Sequence, residues 1–142
     1  MAVILRECKA LAHLDLSMNR IKADGAGRLS HVLRECTALT HLNMGVNKMG
    51  SDGMGELAEG LKECHALEYL NLKCNKIQTK GAGKLAEVLG GLPALAHLDL
   101  GENKIRNDGV ERLAGALSDC TALTHLNLME NGIGDRGAEW LA

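Results

Sequence analysis

Aromatic residues are almost absent from this sequence, which has no Phe, one Tyr and one Trp among its 142 residues, and Pro occurs once. A core without aromatic side chains has to be built from Leu, Ile, Val, Met and Ala, and such small side chains suit many thin, similar layers. Gly, by contrast, occurs 17 times. This composition points to a repetitive architecture.

An excess of charge of either sign is also missing. The chain has 16 Lys and Arg against 18 Asp and Glu, a net charge of −2. This balance removes the main electrostatic reason to expect a nucleic acid or an anionic membrane as a partner. Apolar residues make up 46% and charged residues 24% of the chain, which argues for a globular protein and against disorder. The length fits one domain, residues 1–142.

The cysteines lack the spacing of a metal site or a disulfide framework. There are five, an odd number, with no CxxC pair, so neither a zinc knuckle nor paired disulfides fit. Four share one periodic position at which the remaining copy has Leu92, as expected for small apolar core sites: Cys8, Cys36, Cys64 and Cys120. Cys74 lies outside this series at a position that is Glu102 in another copy, so we expect it to be partly exposed.

Signals for export or membrane insertion are missing as well. The apolar N-terminal stretch meets Arg6 and Glu7 at once and is too short for a signal peptide. No apolar run approaches the length that spans a membrane. Together with unpaired cysteines, these features predict a protein of the reducing cytoplasm.

What the sequence does contain is an internal repeat with a period of 28 residues, the offset from Leu11 to Leu39. Five copies of the phrase LxxLxLxxNxI, with Met at some Leu or Ile positions, begin at Leu11, Leu39, Leu67, Leu95 and Leu123. Each phrase is followed by a Gly and then a Leu at fixed distances, without insertion or deletion. The chain therefore consists of about five equal units.

Each unit divides into a strand and a helix. Leu14 and Leu16 alternate with polar residues, which predicts a short strand with one buried face. From Gly25 onward, apolar residues recur at helical spacing and predict an amphipathic helix. Residue types that cap helix N-termini stand two positions before this glycine in four copies: Ser51, Thr79, Asn107 and Asp135. Because neither half can bury its apolar face alone, neighbouring units must stack.

The phrase LxxLxLxxNxI followed by a Gly-led helix resembles a leucine-rich repeat of the ribonuclease-inhibitor-like type, over the whole chain. The resemblance implies an α/β fold: a leucine-rich-repeat solenoid shaped as a horseshoe arc. It places a parallel β-sheet on the concave face and α-helices on the convex face. It also implies that the Asn of the phrase bonds backbone groups of the turn, so that we interpret one row as structural: Asn19, Asn47, Asn75, Asn103 and Asn131. Function does not follow from such a scaffold.

Strand residues that point away from the core form three rows across the repeats. The ring row is His13, His41, Tyr69, His97 and His125. The amide row is Asp15, Asn43, Asn71, Asp99 and Asn127. The third row is Ser17, Gly45, Lys73, Gly101 and Met129. Since neighbouring strands lie roughly 4.8 Å apart, the members of each row are in near contact.

Three interpretations of the ring row are open. Its rings can stack as a packing ladder, or His97, Asp99 and His125 can approach one metal ion, or the row can bind a protein around Tyr69. Three ligands on a flat, open sheet make a poor metal site. Tyr, in contrast, buries a large area at a low entropy cost and is enriched in binding hot spots. We favour a combination of packing ladder and protein contact, and we expect no metal site.

Catalytic motifs are missing: no GxSxG, P-loop, HExxH or GxGxxG stands in a fitting context. The carboxylates of the predicted helices alternate with Arg and Lys, as on a solvated, mixed-charge face. We therefore predict a protein that is not an enzyme and has no cofactor.

The sequence predicts a protein-recognition module that binds an unidentified protein, not nucleic acid or a membrane, on its concave face. The proposed contact residues are Tyr69, His41, His97, Asn71, Lys73 and Asp99. The alternative is a structural or self-assembling repeat scaffold, engineered or excised, without a partner of its own. Residues 4–8 align with the end of a repeat helix and residues 139–142 with the middle of one. A chain that begins and ends within a repeat is expected to belong to a longer array or to associate end to end.

Overall fold

A computed structural model describes residues 9–142, in which five strands alternate with five helices. The strands are β1 (His13–Asp15), β2 (His41–Asn43), β3 (Tyr69–Asn71), β4 (His97–Asp99) and β5 (His125–Asn127). The helices are α1 (Lys22–Leu33), α2 (Gly50–Leu61), α3 (Gln78–Leu89), α4 (Arg106–Ser118) and α5 (Asp135–Leu141). This alternation confirms the predicted α/β solenoid.

All five strands form one parallel sheet in the order of the sequence, β1 to β5. Pairing is in register between repeats, so that His13 lies beside His41 and Asp15 beside Asn43. Because each strand has three residues, a repeat contributes one buried side chain between two that face away from the helices. The face that points away from the helices is called here the open sheet face.

The core lies between the sheet and the helices and is built from Leu, Met, Ile, Val, Ala and Cys. Cys36, Cys64 and Cys120 are buried, as is Leu92 in the same series, which confirms the interpretation of these cysteines as small core residues. Cys8 and the aligned segment 4–8 lie outside the described residues. Within residues 9–142, no helix is long and apolar enough to cross a membrane.

The repeated glycines allow the helices to approach their neighbours. A Cβ atom on Gly53 in α2 would lie 3.1 Å from the backbone Cα of Ala23 in α1. This distance is shorter than ordinary van der Waals contact, so a larger residue would push the two helices apart. Gly60 is in closest contact with backbone: its Cβ would lie 2.6 Å from Cα and 2.7 Å from the carbonyl oxygen of Ser30 in α1.

The predicted helix caps are wrong. The helices begin earlier than expected, at Lys22 in α1 and at Gln78 in α3, and no N-cap side chain bonds the first turn. The Ser51 hydroxyl instead donates to the carbonyl oxygen of Ile77 in the next repeat at 2.7 Å, and the Thr79 hydroxyl donates to that of Ile105 at 2.9 Å. These hydroxyls therefore join successive repeats, because the helix already includes them in its first turn.

Four members of the asparagine row form a buried hydrogen-bond ladder, which confirms their structural interpretation, whereas Asn19 is exposed and bonds only its own turn. Asn47, Asn75, Asn103 and Asn131 are each at most 2% exposed. The Asn75 amide nitrogen donates to the carbonyl oxygens of Met44 and Leu72, at 2.8 and 3.1 Å. Its amide oxygen accepts from the backbone N–H of Asn47 at 3.0 Å. Each such side chain thus satisfies backbone groups of two repeats.

One expected core residue is partly exposed. Leu126 occupies the strand position that is fully buried at Leu42 and Leu70, yet it is 37% exposed. It lies on β5, which has a neighbouring strand on one side only within the described sheet. Burial in a stacked array needs a repeat on both sides, so the phrase alone overestimates burial at an edge strand.

Candidate protein interface on the open sheet face

The ring row forms a continuous ladder across all five strands. Ring centroids are 4.2 Å apart for His13 and His41 and 4.1 Å for His97 and His125, and both pairs are stacked. Tyr69 stands in the middle, 5.7 Å from His41 and 6.2 Å from His97. The ladder geometry that the sequence predicted is therefore present, and Tyr69, which is partly buried, joins its two halves.

Threonine hydroxyls are hydrogen-bonded to two of these histidines. The Thr40 hydroxyl lies 3.0 Å from the carbonyl oxygen of Ala12 and 2.9 Å from Nδ1 of His41. The same carbonyl oxygen also accepts the backbone N–H groups of Thr40 and His41, at 2.8 and 3.0 Å, so the direction of the bond between Thr40 and His41 follows the tautomer of the ring. In either tautomer this bond occupies Nδ1 of His41. Thr124 and His125 repeat this arrangement at 3.1 and 2.9 Å.

The amide row is bonded both to backbone and across strands. Its side-chain oxygens accept backbone N–H groups two residues later, as Asp99 does from Gly101 at 2.9 Å. The Asn127 amide donates to Asp99, and the Asn43 amide donates to Asp15, each at 3.1 Å. Hydrogen bonds from the Ser17 side chain and backbone, with a smaller one from Asn43, lower the pKa of the Asp15 carboxyl. The row is therefore a pre-ordered strip of carboxylates and amides.

Lys73 is the one cation of the third row, and it lies between two glycines. A Cβ on Gly101 would be 3.6 Å from Cγ of Lys73, and Gly45 occupies the same position on the other side. The Lys73 ammonium forms an ion pair with Glu102 at 3.1 Å. The hydrogen bond and charge of Glu102 raise the pKa of Lys73. The glycines leave space on either side of a fixed positive charge.

The structure brings all six predicted contact residues together on neighbouring strands. Tyr69 is paired in register with His41 and His97, and Asn71 is paired with Asp99. Lys73 lies two residues after the end of β3. Their role in binding is untested by this geometry and stays a prediction.

Sequence reasoning missed the extension of this surface toward β5. An open depression of about 410 Å³ is lined there by Tyr69, His97, Leu98, Asp99, Thr124, His125, Leu126 and Asn127. Thr124 belongs to a strand-flanking position that was not considered, and Leu126 was assigned to the core. The signal that was available is the recurrence of Thr before His at positions 40 and 124.

The described residues offer no metal-binding cluster, and their cysteines differ in exposure. Within residues 9–142, no three His, Cys, Asp or Glu side chains are arranged to hold a metal ion. Cys74 follows β3 and is partly exposed, as predicted, whereas Cys36, Cys64 and Cys120 are buried.

We expect Cys74 to be the fastest of these four thiols to react with an alkylating reagent. Burial, with a smaller effect of the Cys36 and Glu63 charges, raises the pKa of Cys64 to about 11. At pH 8 roughly one thousandth of such a thiol is the reactive thiolate. Time-resolved labelling with peptide mapping should find Cys74 modified first, and Cys74→Ser should remove the fast phase. Earlier labelling of Cys36 or Cys64 would contradict the assignment of the core.

Comparison with known proteins supports the architecture. The family described as Leucine Rich repeat matches residues 7–30, 35–58, 63–86, 93–114 and 119–142. The fold is similar to that of actin-binding site 2 of leiomodin-1, with a TM-score of 0.70 and 15% identity over 96% of this chain and 83% of that one. It is also similar to an internalin from Listeria monocytogenes, with a TM-score of 0.49 and 23% identity over 97% of this chain and 47% of that one. No curated protein matches in sequence. At these identities the likeness concerns the fold alone.

Proposed function

This chain belongs to the leucine-rich repeat family, and on that premise we propose that its open sheet face binds a protein partner. Leucine-rich repeats generally mediate protein–protein interaction. The observation that carries the proposal for this chain is the ring ladder centred on Tyr69, with an ordered polar strip beside it. The contact set is Tyr69, His41, His97, Asn71, Lys73 and Asp99, extended by Thr124 and His125.

The chemistry of this surface suits a folded protein or peptide. A partly buried Tyr offers a large apolar area whose position is already fixed by stacking, so that little side-chain entropy is lost on binding. The Thr40 and Thr124 bonds occupy Nδ1 of His41 and of His125, so Nε2 of each ring is the nitrogen that can pair with a hydrogen-bonding group of a partner. The carboxylate of Asp99 and the ammonium of Lys73 supply charges of both signs, which favours specific over non-specific binding.

Replacing Tyr69 by His is expected to weaken partner binding by about 2 kcal/mol, the value of a hot-spot contact. His stands at this position in the other four repeats, so Tyr69→His keeps the ladder and removes only the phenol ring. Tyr69→Ala would also remove stacking on both sides, and the structure therefore predicts a stability loss that the sequence did not suggest. Partners captured from a lysate of the source cells should be titrated with both forms.

The control is Lys62→Ala, which changes an exposed residue directly after α2, on the helical side, and is expected to leave the affinity unchanged. Equal affinity of Tyr69→His and the unmodified chain would return the ring row to a purely structural role.

Three finer assignments accompany this proposal. We assign the repeats to the ribonuclease-inhibitor-like type, supported by a helix of 12 residues in each of the first three repeats. We propose a non-enzymatic role, in line with the usual function of the family. We propose a reducing location such as the cytoplasm, supported by Cys64, Cys74 and Cys120, which form no disulfide among the described residues.

Self-assembly through the ends of the solenoid remains a prediction. Four of the six exposed large apolar side chains of the described residues lie on β5, after it and on α5: Leu126, Met129, Trp140 and Leu141. The other two, Met18 and Val46, follow β1 and β2.

A further inference from the structure

Six cations stand in the loops that follow β1 to β4 or at the first residue of the next helix. Arg20, Lys48, Lys76 and Lys104 occupy one position in successive repeats, and Lys22 and Arg106 stand two residues later in theirs. All six are exposed. We call this group the basic edge: Arg20, Lys22, Lys48, Lys76, Lys104 and Arg106. In the sequence, Arg20, Lys48, Lys76 and Lys104 are each one repeat apart, and only stacking of the repeats brings them into one row.

The charges of the basic edge are not neutralised within the described part of the chain. The ion pairs formed by residues 9–142 use other cations: Lys62, Lys73, Lys80, Lys84 and Arg136. Two carboxylates near the edge are already occupied, since Asp52 pairs with Lys80 at 2.9 Å and Glu102 pairs with Lys73 at 3.1 Å. Asp24, in the first turn of α1, is the acidic group beside Lys22. The edge is thus a local excess of positive charge on a chain whose net charge is −2.

The backbone at these positions favours glycine, yet the chain keeps cations there. Lys22 and Arg106 have φ values of 51° and 62°, in a row where Gly50 has 72°. Lys76 and Lys104 have φ values of 59° and 58°, in a row where Gly132 has 68°. Glycine adopts this left-handed conformation without strain and other residues do not. Uncharged residues such as Gln78 and Val46 share this conformation, so it is a property of the repeat turn, and glycine in place of Lys48, Lys76 or Lys104 would fit the backbone without strain.

The edge also has a place for a ligand. An open depression of about 480 Å³ is lined by Gln78, Thr79, Lys80, Lys104 and Arg106. Lys104 and Arg106 bring two cations of the basic edge to this depression, and the third cation, Lys80, is paired with Asp52. The backbone around it is fixed, because the N–H of Gln78 donates to the carbonyl oxygen of Asn103 and that of Arg106 to Asn131, each at 2.9 Å.

From these observations we propose that the basic edge binds an acidic segment of a partner protein. Successive rungs are separated by roughly the strand spacing of 4.8 Å, close to the ~5.4 Å pitch of an α-helix, so carboxylates one turn apart can face successive cations. Nucleic-acid surfaces combine cations with stacking aromatic side chains. The Tyr and Trp of this chain lie elsewhere, on β3 and α5. The basic edge is separate from the open sheet face, and the proposal does not depend on binding there.

The test measures binding of a fluorescent oligoglutamate peptide by anisotropy at low and moderate salt. The variant combines Lys48→Gly, Lys76→Gly and Lys104→Gly, which removes three charges and relieves the left-handed strain, so its melting temperature should be unchanged or higher. The matched control removes three exposed charges from the helical side: Arg28→Ala, Arg34→Ala and Arg112→Ala.

We expect the unmodified chain and the control to bind the peptide alike, with affinity falling as salt rises, and the glycine variant to bind about tenfold more weakly. Absence of binding at low salt, or an equal loss in the control, would overturn the proposal. Tighter binding of oligouridine or of phosphatidylserine vesicles than of oligoglutamate would overturn the assignment to an acidic protein segment.

Discussion

Asn75→Ala is expected to lower the free energy of unfolding by about 4 kcal/mol, the cost of leaving several buried backbone groups without partners. The Asn75 amide oxygen accepts from the backbone N–H of Asn47 at 3.0 Å and of Met49 at 3.4 Å. Its nitrogen donates to three carbonyl oxygens, including those of Met44 and Leu72. Alanine removes every one of these bonds, and water has no access to a side chain that is 0% exposed.

The same substitution at the exposed first copy is the natural control. The Asn19 nitrogen donates to the carbonyl oxygens of Leu16 and Ser17, at 3.0 and 3.1 Å, and solvent can replace both. We expect Asn19→Ala to cost about 1 kcal/mol or less. Urea unfolding followed by circular dichroism measures both variants. Similar midpoints for the two would show that the ladder contributes little beyond local turn bonding.

Gly60→Ala is expected to destabilise the protein by about 3 kcal/mol, the upper part of the range for overpacking. The new methyl would lie 2.6 and 2.7 Å from backbone atoms of Ser30, and backbone, unlike the end of a flexible side chain, cannot move aside cheaply. The repeat suggests the opposite outcome, because the same position is Val32, Val88 and Ala116 in other copies. A change toward the common residue would ordinarily be read as stabilising.

Gly115→Ala is the matched control for this prediction. Gly115 also lies within a helix, α4, but a Cβ there has no atom within 4 Å. Helix propensity alone then determines the effect of the substitution, and we expect the free energy of unfolding to rise by about 0.5–1 kcal/mol. Thermal unfolding of the two single variants compares them directly. A gain in stability for Gly60→Ala would mean that α1 and α2 separate readily, and that their close approach is not needed.

Much of the fold was predictable because each position was observed five times. A position that is Cys in four copies and Leu92 in the fifth has to be small and apolar, and Cys36, Cys64 and Cys120 are buried. The resemblance to leucine-rich repeats implied that the Asn row is structural, and the comparison of the copies placed six candidate contact residues on one face. Periodicity reports the average environment of a position, and in a stacked array this average is the environment of that position in an interior repeat.

The tertiary structure alone decided what depends on the distance between two particular repeats or on an edge. Ser51 and Thr79 have the residue types of helix caps, but the earlier start of their helices makes them donors to the next repeat. Leu126 fits the core pattern and is partly exposed, since β5 has one neighbouring strand among the described residues. The need for glycine at position 60 comes from the backbone of Ser30, which only the structure places beside it.

The basic edge shows the same division most clearly. The sequence determined the structure of each repeat, because the same residue types recur every 28 positions and form the same strand and helix in each copy. The sequence also shows a net charge of −2, which argued against a nucleic acid or an anionic membrane as a partner. Stacking alone brought Arg20, Lys48, Lys76 and Lys104 into one row, while Asp52 and Glu102 pair with the other cations Lys80 and Lys73. Charge density depends on distances in space, and these distances are a property of the assembled solenoid.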